Sequence, residues 1–490
     1  ILIFAIWQYA SILGMAIFHW PDAFAWLNLG LLAAFVILSP AYESLLLLII
    51  SIPFYLILPN SQFNALSMWR PLFLLLFLVW LIRDKKMRYK EIKFLPWDKL
   101  LGIYLLAGLA VTLIFGKFVG QGFKQIAFWL NIFCLYLVMI NTLKSKEQIF
   151  ELIRYIIWSL AIIVTLGFTQ LIGTFFTNLD TFWVYWASNI TKLYYGANFS
   201  SVALYSNSWF SYSGGRGLRM FSIMPDSQSF AYICIFGVCI GTALTHNVFK
   251  YVKKWLWSGI RFASLGLILS GTRAVWVGML APFVAIIWAY GKGFQRHLAK
   301  KFIWPFIIIF VLFAASPLIN LGFNYLRINA FKEEFLSRAQ SIYDLQESSN
   351  IGRLKIWKES LAFAAKHPFG VGFGNFITSL DNSGQEKTYQ DLAGEVNERY
   401  NLPQRYVSAH NLYLQVLVET GIVGFLLFCG FWLVMIRAFW RFLKHYKNVE
   451  DFLVYFVAQA LLMVLWVLGA AFFDVTLFND KVLMFFFLKL

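Results

Sequence analysis

Long apolar runs recur along the whole chain, and they restrict what it can fold into more than any other feature. Ser44–Leu58, Pro71–Ile82, Phe302–Ile319 and Gly421–Ile436 are examples. A helix of ~17–25 apolar residues crosses the hydrocarbon core of a bilayer. The runs lack the alternation of barrel strands, which argues against a β-barrel. Helices placed on the runs give about fourteen segments, near 1–18, 23–38, 44–58, 66–82, 99–115, 123–141, 155–176, 228–245, 256–270, 275–290, 302–320, 411–436, 452–471 and 481 to the end. The expected fold class is all-α: a polytopic transmembrane helix bundle of about 12 to 14 helices with one long external loop, itself partly helical.

Charge supplies the orientation. Only 13% of the 490 residues are charged, against about a quarter in a soluble domain. The formal net charge of +17 invites a nucleic-acid partner, but 21 of the 41 basic residues sit in five short connections that begin at Arg83, Lys144, Lys250, Lys292 and Arg437. The hydrophilic segment Leu321–Ala409 carries ten basic and ten acidic residues. Basic excess confined to short loops is the positive-inside pattern, whereas nucleic-acid binding needs a contiguous basic face; no nucleic-acid partner is expected. The basic connections follow segments 4, 6, 8, 10 and 12, so all five share the cytoplasmic side. Thr177–Ser227, the turn Gly271–Ala274 and the loop Leu321–Ala409 then fall on the other face.

Four regions result: N-terminal transmembrane helices over 1–176, helices with external Arg-bearing turns over 177–320, an external loop over 321–410 and C-terminal helices over 411–490. Within the loop, Asn329–Leu345 and Ile351–Lys366 have helical periodicity, the second with Ile351, Leu354, Trp357 and Leu361 on one stripe. His367-Pro368-Phe369-Gly370 stops that helix, and the glycine-rich Gly370–Gly374 continues as turns. Cys134, Cys234, Cys239 and Cys429 lie in apolar stretches without CxxC spacing and read as packing residues. The chain opens on Ile1 inside an apolar run, so its true N-terminus is expected to precede this residue and no signal peptide is argued.

Three polar elements on the external face carry the candidate chemistry. His410, with Asn411, stands where the long loop enters a membrane helix. The unpaired N–H groups and dipole of a helix N-terminus disfavour imidazolium, and a neutral imidazole can accept a proton. An interfacial His that merely caps this boundary is the alternative. Glu419 lies nine residues into the same helix, ~13 Å deep, where a carboxylate has a partner or faces a cavity; a structural hydrogen bond and a catalytic role both stay open. Gly421 and Gly424 are expected to permit close helix packing. Arg216 and Arg219 lie in Gly215–Ser222, Arg273 lies in Ser270–Trp276, and Arg353 lies in the loop. One arginine at an interface is ordinarily a snorkelling anchor. Several on the face that holds His410 read as an anion site, because guanidinium is permanently charged and suits phosphate.

His-Asn-x-Tyr-Leu-x-x-x-x-Glu-x-Gly-x-x-Gly at His410–Gly424 resembles the signature of the O-antigen ligase and O-antigen polymerase superfamily. Ser270–Trp276 is similar to that family's Ser-[Gly/Arg]-[Ser/Thr]-Arg element, Arg219–Asp226 to its Arg-to-Asp element, and Gly352–Trp357 with His367–Phe376 to its loop segment. Order and spacing agree across about 215–431. The resemblance implies a bacterial inner-membrane glycosyltransferase that needs no cofactor or metal, with its active site on the periplasmic face. The donor it implies is a glycan on undecaprenyl diphosphate, and the acceptor a glycan or glycolipid hydroxyl. His410 would be the catalytic base and Arg219 and Arg273 the diphosphate ligands, with Arg216, Arg353, Asn411 and Glu419 as further candidates. The sequence has no Asp-x-Asp pair, P-loop or His/Cys cluster, which leaves protein cations to neutralise a leaving diphosphate. The alternative is a transporter or non-catalytic membrane protein that binds an anionic solute or lipid. A carrier places charges near the midplane of paired, repeated helices; Glu419 and Asp474 are candidates, and no repeat is evident.

Overall fold

The computed structural model describes residues 1–59, 66–83, 92–205, 209–211, 217–245, 250–291, 296–315, 318, 321, 341–342, 344, 346–376, 408–446 and 451–488. Helices dominate: α1 (Leu2–Ile17), α2 (Ala23–Leu38), α3 (Ala41–Ile50), α4 (Trp69–Arg83), α5 (Asp98–Phe115), α6 (Val119–Thr142), α7 (Lys146–Phe176), α8 (Leu179–Tyr185), α9 (Lys192–Tyr205), α10 (Ser227–Leu244) and α11 (Lys250–Leu269). There follow α12 (Arg273–Gly278), α13 (Leu280–Gly291), α14 (Arg296–Ala314), α15 (Ser348–Lys366), α16 (Leu412–His445), α17 (Phe452–Ala470) and α18 (Asp480–Phe487). Among the described residues seven elements are long and apolar enough to cross a membrane, α12 and α13 counting as one. Among the described residues the only strands are β1 (Phe210–Ser211) and β2 (Gly217–Leu218), paired antiparallel.

The fourteen runs match helices closely, with one departure. The third run was expected to be helical over 44–58, but α3 stops at Ile50. A short 3-10 turn, Ile52–Phe54, follows, and Ile57 then bridges Ser67. Pro53 ends the helical ladder because it has no N–H to give. The freed polar groups are met inside the protein: Ile57 N–H donates to Leu193 O (3.0 Å) and Tyr194 Oη to Pro53 O (2.9 Å).

α10 forms the centre. Every residue in it except Gln228 is buried, and it packs against α7, α11, α17 and α18. A helix apolar on all sides belongs inside. α5 and α16 instead expose Leu106, Ile114, Leu426 and Leu433 on their outer faces, as lipid-facing helices do. Cys234 and Cys239 are buried in α10, Cys134 and Cys429 are half-buried, and all four thiols are free.

The two ends of the bundle segregate as the charge pattern requires. At the basic end Arg83 donates to Ser39 O (2.6 Å), Tyr42 to Glu151 (2.8 Å) and Lys93 N–H to Asn141 Oδ1 (2.7 Å), while Lys146 pairs with Asp451 (3.0 Å). At the opposite end Tyr185 donates to Ala16 O (2.9 Å), Phe118 N–H to Asn375 Oδ1 (2.8 Å) and Leu412 N–H to Ala471 O (2.9 Å).

Of the external loop, α15 is helical as expected and ends at Lys366, before Pro368. Its buried face is not the apolar stripe. Gly352, Ile356, Ser360 and Ala364 are buried, whereas Ile351, Leu354 and Leu361 are exposed. Small residues on the inner face let α15 lie close against α16. The helix expected over Asn329–Leu345 lies almost entirely outside the described residues.

Candidate functional site

α16 is broken where the sequence has Gly421. That residue has φ +68°, and the glycine-rich segment after α15 enters the break. Val371 N–H donates to Val418 O (3.1 Å), Gly372 N–H to Glu419 O (2.8 Å), and Ile422 N–H to Pro368 O (2.9 Å). These bonds replace those the helix loses, which membrane-buried backbone requires. A Cβ on Gly421 would stand 2.3 Å from the carbonyl carbon of Phe369, so this glycine admits a loop and not a second helix. Glu419 completes the docking. Its carboxylate accepts the N–H groups of Gly374 and Phe376 and the Gln415 amide (2.9 Å). Of its two open readings, the geometry supports the structural hydrogen bond.

The docked segment fixes the entry to α16. Asn411 is the N-cap and accepts from Leu414 N–H (3.0 Å). His410, one residue earlier, has φ +47°, a left-handed conformation that costs a branched or bulky residue about 1–2 kcal/mol. Trp357 of α15 donates to Ala409 O (3.1 Å) and so clamps the chain beside it. His410 is half-buried. Burial, reinforced by the Arg353 guanidinium, lowers its imidazole to about 4. It is therefore neutral at physiological pH, and among the described residues nothing hydrogen-bonds its ring.

The two other elements meet at one turn. Ser270 and Gly271 link α11 to α12, Gly271 having φ +62°. Arg219 lies across this turn: its Nε donates to Ser270 O (3.1 Å), and Nη2 donates to Gly271 O (3.3 Å) and Thr272 Oγ1 (3.4 Å). The backbone after Arg219 is pinned by Gln170, whose Oε1 accepts from Phe221 and Ser222 N–H (both 3.1 Å). Arg273 is buried, and its fork is engaged by the chain leading into α15. It donates to Ser341 Oγ (2.8 Å), Ser341 O (3.1 Å) and Ser349 Oγ (3.1 Å), and it pairs with Glu347. α15 thus touches Arg273 at Ser349 and the His410 strand at Trp357, eight residues later, or about 12 Å along a helix axis.

Two carboxylates lie between these groups. Asp226 caps α10 through Ser229 N–H (2.6 Å) and accepts from Asn479 (3.3 Å). Asp474, in the turn after α17, holds Val475 N–H (2.6 Å), Thr476 N–H (2.9 Å) and the Thr476 hydroxyl (2.5 Å) on Oδ1; its buried Oδ2 has no hydrogen bond. Asp474 sits at a helix end and not at the midplane position a carrier would use. Burial raises both carboxyls, that of Asp474 to about 6, and charge interaction couples Asp226 to Arg219 and Asp474 to Arg353. The result is a polar track, His410, Arg353, Asp474, Asp226, Arg219, in which two neighbouring carboxylates stand between two guanidinium groups. It carries a neutral imidazole at one end, and guanidinium groups on either side of the carboxylate pair.

Arg216 lies outside the described residues. Sequence reasoning missed Glu347, Gln170 and Asn479, which carry no motif. Asp474 stood out in the sequence as a charge inside an apolar run, where it was a candidate for the carrier alternative. Among the described residues no three His, Cys, Asp or Glu side chains cluster to hold a metal ion.

Residues 258–429, from within α11 to the second half of α16, match the family model described as O-antigen ligase. The match spans Arg273, Arg353, His410 and Glu419 and stops short of Arg219 and Asp474. No curated protein matches the chain.

Proposed function

We propose, from the premise that this multi-pass membrane chain belongs through residues 258–429 to the O-antigen ligase and polymerase superfamily, that it transfers a glycan from undecaprenyl diphosphate to an acceptor hydroxyl. One observation carries the reading: a neutral, strained His410 stands beside Arg353 at the end of the bundle where Arg219 and Arg273 meet. Strained backbone at a non-glycine residue persists where the surroundings over-determine it, and such positions concentrate at functional sites.

In this mechanism the acceptor oxygen attacks the anomeric carbon and His410 takes the hydroxyl proton. The bond from that carbon to the diphosphate oxygen breaks, and undecaprenyl diphosphate leaves with the electron pair. Guanidinium groups lower the barrier where this negative charge develops, which calls for no metal ion. A resting imidazole at about 4 is a weak base. A diphosphate bound near Arg353 would offset that cation and move the imidazole toward the operating pH, where general bases work best. Proton acceptance would then be tied to the presence of donor. The parity of the basic loops supports a periplasmic position for this end of the bundle in this reading.

The test is transfer by the purified protein in nanodiscs, given an undecaprenyl-diphosphate-linked glycan and a series of hydroxyl acceptors. Glycosylated acceptor and undecaprenyl diphosphate should appear in equal amounts. Transfer to a second donor molecule identifies a polymerase, and transfer to a glycolipid core identifies a ligase. Donor that binds but reaches no acceptor would overturn the reading.

A further inference from the structure

A second cationic cluster lies on the same end of the bundle, away from His410. Lys481, in the first turn of α18, is 1% exposed. Its Nζ lies 4.8 Å from the Tyr194 ring centroid and 5.1 Å from that of Tyr195. It makes one long hydrogen bond, 3.4 Å, to Tyr195 Oη. An ammonium offers three donors, and burying one that is incompletely paired is costly. Two tyrosine faces recover part of that cost.

Arg70, at the start of α4, is the second cation. Its guanidinium lies over the Trp69 ring at 5.3 Å, and its Nε is buried without a hydrogen bond. Asp480 interacts electrostatically with both Arg70 and Lys481, so two positive charges share one carboxylate. Tyr195 in turn feels Asp480 and Asp226, and Asn479 bonds to Asp226 and to Ser229 (2.6 Å). The cluster therefore adjoins the far end of the polar track.

We propose that Lys481 and Arg70 form an anion subsite, lined by Tyr194 and Tyr195, that binds a phosphoryl group. A phosphoryl group presents several oxygens, enough to accept from an ammonium and a guanidinium together, and it supplies the missing negative charge. A neutral sugar hydroxyl supplies none. The group has two sources: the diphosphate of a lipid-linked donor, or a phospholipid head group. The first source rests on the glycan-transfer reading, whereas binding itself does not.

The experiment titrates inorganic pyrophosphate into the full-length protein in phosphatidylcholine nanodiscs and follows thermal stability. Lys481→Met and Arg70→Met should each weaken the pyrophosphate response about tenfold or more, the scale of a lost charge-assisted hydrogen bond. Lys481→Arg should keep it. Ligand-free Lys481→Met should be as stable as the parent or more so, since it removes one of two buried cations that share the Asp480 carboxylate. If that variant does not fold, Arg70→Met and Lys481→Arg decide. Phosphatidylglycerol nanodiscs that blunt the parent's response, and stabilise the parent more than either Met variant, identify the source as a head group. An undecaprenyl diphosphate response that survives in phosphatidylglycerol identifies the donor. Met variants that bind pyrophosphate as tightly as the parent would overturn the subsite. His410→Asn with pyrophosphate binding intact separates loss of transfer from loss of the subsite.

Discussion

Glu347 pairs with the guanidinium of Arg273, which also donates to Ser341 and Ser349, so α12 and the start of α15 are tied through one buried fork. A diphosphate that uses Arg273 must share this fork or displace the carboxylate. Glu347→Gln should therefore lower the KM for donor several-fold, because the same guanidinium now carries uncompensated charge. The ligand-free protein should become less stable, since one partner of a buried pair has been removed. Arg273→Lys should lose transfer about tenfold to a hundredfold, because an ammonium cannot make the paired contacts. Steady-state kinetics with a thermal melt of each variant checks this. Unchanged KM in Glu347→Gln would leave the ion pair as a structural latch.

The left-handed backbone at His410 chooses the substitution that tests it. Asn tolerates φ near +47° better than most residues, so His410→Asn should fold with unchanged or slightly higher stability. Transfer should fall by about 10²–10⁴-fold, the usual worth of a positioned general base. Single-turnover transfer with donor prebound is the measurement. Retained transfer would remove His410 from the chemistry and leave it as the residue before a helix cap.

Arg353 adds to burial in setting the pH dependence. In the free protein burial and this guanidinium hold His410 at about 4, so kcat/KM should stay level from pH 8 down to near pH 5 and fall only below that. A group whose pKa is depressed by a neighbouring cation rises when the cation goes. Arg353→Gln should accordingly move the acid limb upward, toward the ordinary histidine range. A limb that stays in place, in a variant that still binds donor, would show that Arg353 does not act on the base.

Much of this architecture was legible because bilayer thickness converts apolar length into helix count, and basic loops fix parity. α3 was not, because the length rule counts apolar residues and cannot tell a helix from Ile52–Leu58, whose backbone is met by Leu193, Leu66 and Met68. Periodicity located α15 but not which of its faces is buried. The packed face combines small residues with Ile356 and Phe363, whereas Ile351, Leu354 and Leu361 stay exposed. His410, Arg219 and Arg273 stood out as polar groups at helix ends. Their partners did not: Glu347 and Gln170 acquire meaning only once the chain brings them across long sequence distances. Glu419 was legible as a buried carboxylate, but its loop partners were not.

Glu419 therefore yields a prediction about structure more than chemistry. Its carboxylate receives N–H groups from Gly374 and Phe376 and the Gln415 amide at one point, and so ties the segment carrying α15 into the break at Gly421. Glu419→Ala leaves those donors buried and unmet, which costs about 1–3 kcal/mol for each group left unpaired. Stability should drop, and amide exchange should quicken across Gly370–Phe376. Glu419→Gln should lie between Ala and the parent, since one amide oxygen still accepts while its NH₂ faces donors. Transfer should fall in parallel with exchange in both variants, because loosening α15 displaces Arg353 and the Trp357 clamp on Ala409 together. Transfer lost in Glu419→Gln with exchange and melting unchanged would instead put the carboxylate in the reaction itself.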